Sequence, residues 1–66
     1  MNIKGLSTNG LKLLHTTIAK ALAEDDALPT NAKTYGVREY PDWRQQADAI
    51  EAELAGRKEA YAPIAW

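Results

Sequence analysis

Two apolar stripes of helical period decide what this chain can fold into. Leu11, Leu14, Ile18 and Leu22 fall at i, i+3, i+7 and i+11, on one face of a helix that turns once per ~3.6 residues. Trp43, Ala47, Ile50 and Leu54 fall at i, i+4, i+7 and i+11 and mirror the first set. Lys12, Thr16, Lys20 and Glu24 take the side opposite the first stripe, and Arg44, Gln45, Asp48, Glu51 and Glu53 take much of the outer surface of the second. The pattern predicts helices over residues 8–26 and 41–56, facing each other along the two stripes.

The flanking residues agree. Ser7, Thr8 and Asn9 are good N-cap residues, and Gly10 weakens the first turn slightly. Pro41 is favoured at the first position of the second helix, and Asp42 suits the positive end of its dipole. Gly56 followed by Arg57 and Lys58 reads as a helix end, with Pro63 as the outer limit. Glu53 and Arg57 form a well-oriented i,i+4 pair. Glu24, Asp25 and Asp26 are a poor way to end the first helix, because three carboxylates meet the negative end of the dipole. Either that helix stops early or a basic group approaches, with Lys33, Arg38 and Lys58 as candidates.

The fold class expected is all-α: an antiparallel two-helix hairpin with a long ordered connection and a C-terminal tail packed on it. At 66 residues the chain is a single domain, since two would not fit. Residues 1–8 form an N-terminal arm, 27–40 the connection and 57–66 the tail. The connection holds turn residues, Pro29, Thr30, Asn31 and Gly36, but also Leu28, Tyr35, Val37 and Tyr40. It is expected to fold back over the helices, with a short extended piece at residues 35–38.

Composition sharpens one point. Of 30 hydrophobic residues, 12 are Ala, so the core is thin, and chains of this size rarely gain more than ~3–5 kcal/mol from a core alone. Cysteine is absent, which removes disulfides and thiolate metal clusters as supports. Self-association or a protein partner is the natural supplement.

Chemistry is sparse. His15 is the only histidine, and its helical neighbours Leu11, Lys12, Ile18 and Ala19 give it no partner. It is expected to flank the stripe or face solvent. An enzyme would need a pocket joining His15 to a carboxylate, and His15 exposed and alone would end that reading. Glu24, Asp25 and Asp26, like the i,i+3 pair Asp48 and Glu51, read as solvated faces rather than cation sites. No catalytic triad order, phosphate loop or zinc motif is present. No catalytic residue, metal site or cofactor is assigned, and the chain is expected not to be an enzyme.

Tyr35, Arg38, Tyr40, Arg44, Tyr61, Ile64 and Trp66 are the candidate partner-binding residues, for a protein partner or a second copy. In the default arrangement Tyr61, Ile64 and Trp66 dock on the hairpin beside the aromatic residues of the connection. The alternative is nucleic-acid or nucleotide-ligand binding through Lys33, Tyr35, Arg38 and Arg44, where cations interleave with aromatic rings. Balanced charge, 8 basic against 9 acidic residues, argues against a general polyanion binder, and the long connection disfavours a helix-turn-helix. No apolar run approaches the ~18 residues of a membrane span, and no apolar leader segment opens the chain. A cytoplasmic protein without membrane association is expected.

Residues 35–54, YGVREYPDWRQQADAIEAEL, resemble short open reading frames of phage and prophage regions. The resemblance implies a small accessory protein in the host cytoplasm that blocks or recruits a host factor, or a joining component of a virion. It transfers no functional residue.

Overall fold

A computed structural model describes residues 2–66; Met1, the first residue of the expected arm, lies outside the described residues. Two helices, α1 (Thr8–Asp26) and α2 (Pro41–Gly56), pack together. Short 3₁₀ turns occupy Ile3–Gly5 and Thr30–Ala32, and the described residues contain no strand. Both helices span the residues their stripes predict.

Ser7 caps α1, its hydroxyl accepting the Gly10 N–H at 3.0 Å. A Cβ at position 10 would stand 3.1 Å from that hydroxyl, so the glycine gives the cap room. The two stripes meet as expected. Leu11, Ile18, Ala47, Ile50 and Leu54 form one buried cluster, and Ala21, Leu22 and Val37 a second. Trp43, Ile64 and Trp66 are half-buried and pack against both. The thin core is thus extended by one ring from α2 and two side chains from residues 59–66. Leu13, off the stripe, is exposed.

The connection departs from expectation in one place, and α2 ends at Gly56 as expected but with an unexpected cap. The extended piece expected at residues 35–38 is a turn instead. Gly36 adopts φ +68°, and its carbonyl accepts the N–H groups of Glu39 and Tyr40. A Cβ on Gly36 would lie 2.7 Å from Cδ2 and Cε2 of Tyr40, so the edge of that ring abuts the glycine. The unexpected cap follows the end of α2. Glu59 N–H donates to the Leu54 carbonyl and Lys58 N–H to that of Ala55, at 2.9 and 3.0 Å. This is the Schellman pattern, whose left-handed residue is normally glycine. Here Lys58 occupies it, at φ +59°, and Gly56 lies two residues too early.

Arg57 fixes the arm. Its guanidinium donates to the Glu53 carboxylate at 2.9 Å, to the Thr8 hydroxyl at 3.2 Å and to the Lys4 carbonyl at 3.2 Å. The end of α2 therefore lies beside the start of α1. Residues 59–66 then run as an irregular strap back along the helices.

Candidate functional site

At the acidic end of α1, Glu24 and Asp26 are exposed as the sequence suggests, and Asp25 is not. Asp25 is 1 % exposed. Its carboxylate accepts the backbone N–H groups of Thr34, Tyr35 and Val37 at 3.1, 3.1 and 3.0 Å. Burial pushes its carboxyl group up, but the N–H groups of Val37, Tyr35, Thr34 and Gly36 together outweigh this and hold it below the ordinary value. Lys33 donates to the Asp25 backbone carbonyl. Arg38 grips the Asp26 carboxylate with Nε and Nη2, at 2.8 and 2.9 Å, and this pairing lowers the Asp26 carboxyl. Lys33 and Arg38 are thus the basic groups the helix end required, and Lys58 is not. The helix does not stop early because the connection caps it.

His15 and Glu51 also depart from the sequence expectation. His15 is buried, and its Nε2 lies 2.8 Å from Glu51 Oε2 on the facing helix. The same oxygen accepts the Ile64 N–H at 3.1 Å, and Tyr61 meets the His15 ring edge-on at 5.9 Å. Helical neighbours could not reveal this pair, since 36 residues separate its members. The condition that would have ended the enzyme reading, an exposed and solitary His15, does not hold. A groove of about 570 Å³ runs beside it, lined mostly by small apolar groups including Ala19, Ala23, Ala62 and Ile64. The described residues contain no group of three potential metal ligands, and the groove also carries the polar side chains of Lys12, Thr16 and Tyr61. The pair acts as a polar clamp on the strap.

The seven candidate partner-binding residues separate into three places. Tyr61 and Ile64 line the His15 groove. Tyr35 stands edge-on to Trp43 at 6.1 Å, over a shallow hollow with Lys20 and Glu24, and the Glu24 carboxylate raises its phenol above the ordinary value. Arg38, Tyr40, Arg44 and Trp66 converge on a third cleft of about 350 Å³, shared with Val37, Pro41, Gln45 and Asp48. Lys33, a candidate for the nucleotide alternative, stays at the Asp25 carbonyl outside this cleft.

The cleft is built from both sides. Tyr40 is 63 % exposed, and the Cδ2–Cε2 edge of its ring abuts Gly36. The Arg44 guanidinium lies 5.3 Å from the Trp66 ring centroid, a cation–π contact. Arg38 Nη1 donates to the Trp66 backbone oxygen at 2.6 Å, so the residue that grips Asp26 also seats the tryptophan. Arg44, unlike Arg38, has no carboxylate within ion-pair distance among the described residues.

No family model, curated protein or solved structure matches the chain. No helix among the described residues is long and apolar enough to cross a membrane.

Proposed function

We propose that this chain is a non-enzymatic interaction protein that binds another protein through the cleft of Tyr40, Arg44 and Trp66. The observation that carries the reading is the Arg44–Trp66 contact beside the exposed Tyr40. Tyr, Trp and Arg are the residue types that dominate binding hot spots, and rings already held in place lose little entropy on binding. The resemblance of residues 35–54 to phage reading frames supports an accessory role in a host cytoplasm. The packing is read as an antiparallel hairpin, supported by Arg57 beside Thr8 and by His15 opposite Glu51.

The test is affinity capture from bacterial lysate with wild type, Tyr40→Ser and Arg44→Ala, each checked for an unchanged melting temperature. A discrete protein retained by wild type and lost with both variants supports the cleft. Equal retention by all three contradicts it.

Arg44, with no ion-pair partner among the described residues, supports a second reading, an anionic nucleotide or nucleic acid in the same cleft with its base on Tyr40. That reading predicts thermal stabilisation by nucleotides or oligonucleotides at low salt, weakening as salt rises. No shift at low salt contradicts it.

A further inference from the structure

The junction between α2 and the strap is one residue long. Arg57 is tied to Glu53, Thr8 and Lys4. Glu59 begins the strap with its carboxylate 3.9 Å from Lys12 Nζ. Between them stands Lys58 in a left-handed conformation, φ +59°, which L-residues with a side chain adopt at a cost. The closed chain therefore concentrates backbone strain at the single point where the strap turns back.

The strap itself is a separable adhesive unit. It reaches α1 through Glu59 and Tyr61, α2 through the Ile64 N–H on Glu51 and the Trp66 ring under Arg44, and the connection through Arg38 on the Trp66 oxygen. A second copy offers an identical seat for each of these contacts, and opening the hinge gives up only the capping bonds of Lys58 and Glu59 to Ala55 and Leu54. A short hinge under strain beside an exchangeable segment is the arrangement that favours exchange between copies.

We infer that this chain forms a domain-swapped dimer in which Lys58 leaves the left-handed region and residues 59–66 of each copy dock on the other. The inference goes beyond the cleft reading and does not depend on it, because a swapped cleft is completed by the Trp66 of the second copy. Docking within one chain benefits from an effective concentration of ~mM. Swapping accordingly takes over when chains refold together at high concentration.

The test uses the full chain, ordinary and heavy-nitrogen-labelled, mixed equally, unfolded and refolded together at high concentration. Monomer and dimer are separated by size, and a zero-length carbodiimide joins Lys12 to Glu59. Mass spectrometry of the dimer then finds about half of the Lys12–Glu59 products joining a light to a heavy peptide, as random exchange of identical segments requires. The monomer gives same-isotope products alone. Absence of a dimer, or a dimer in which this product is missing or entirely same-isotope, overturns the inference. Lys58→Gly, which relieves the closed hinge, lowers the dimer share severalfold under the same conditions. An undiminished share overturns strain at Lys58 as the cause. Neither result bears on the capture experiment with Tyr40→Ser, so the two readings fail separately.

Discussion

The carboxylate of Asp25 lies 3.0 Å from the backbone nitrogen of Val37, twelve residues further along the chain. That contact, with those to Thr34 and Tyr35, makes one buried side chain the organiser of the connection between the helices. It also sets a pH dependence. The folded-state pKa of Asp25 is held below its ordinary value near 3.8. The stabilisation it brings is therefore fully present above that value and is lost as pH falls through the lower, folded-state one. Asp26, lowered by Arg38, acts in the same direction. Thermal melts from pH 7 downward are expected to be flat until the ordinary carboxylate range and to fall below it. Asp25→Asn is expected to lower the melting temperature at pH 7 more than Asp26→Asn does and to flatten the acid limb. An unchanged acid limb would show that Asp25 is not the titrating organiser.

Glu51 Oε2 serves two donors, His15 Nε2 and the Ile64 N–H. Glu51→Ala leaves both without their acceptor, and a hydrogen bond to a charged group contributes ~1.5–3 kcal/mol. Denaturant unfolding is expected to show a loss in that range, together with faster proteolysis of the 59–66 strap. His15→Ala should cost less, since Ile64 keeps its acceptor. Equal losses for the two variants would mean that Glu51 does not hold the strap.

At the end of α2 a glycine and a lysine stand in each other's favoured places. Gly56 is helical, and a Cβ added there would meet nothing within 4 Å, so Gly56→Ala is expected to stabilise by ~0.5–1 kcal/mol. Lys58→Gly relieves the left-handed strain and is expected to stabilise the monomer by a similar ~0.5–1 kcal/mol. Chemical denaturation of both variants, at concentrations where the chain is monomeric, checks the pair. A destabilised Gly56→Ala would contradict the open surroundings of that position.

How much of this is legible in the sequence follows from the range of each interaction. Leu11 to Leu22 and Trp43 to Leu54 are periodic, so the helices and their buried faces can be read directly. The polar residues cannot be read that way. Asp25 looks like one of three solvated acids, because nothing local says that the amides of Thr34 to Val37 will reach it. The His15–Glu51 pair crosses between helices, where i,i+4 reasoning has no view. The convergence of Tyr40, Arg44 and Trp66 needs the strap to return over α2. One signal is present: the demand of Glu24, Asp25 and Asp26 for a basic partner, which Lys33 and Arg38 meet.

Trp43 bridges both apolar clusters and carries Tyr35 on its edge. Trp43→Ala is expected to remove ~3–5 kcal/mol, comparable with all that a core of this size supplies. Circular dichroism should show a largely unfolded chain at room temperature. A folded variant with normal melting would place Trp43 outside the core.

A preformed cleft requires the connection and the strap to be held against the helices by Asp25 and Glu51. Amide hydrogen exchange of Val37 and Ile64 tests this most directly, because each N–H donates to one of those two carboxylates. Both amides are predicted to exchange far more slowly than free peptide, with Ile64 losing protection in Glu51→Ala and Val37 in Asp25→Asn. Exchange of either amide at the free-peptide rate in the wild-type chain would contradict the preformed cleft.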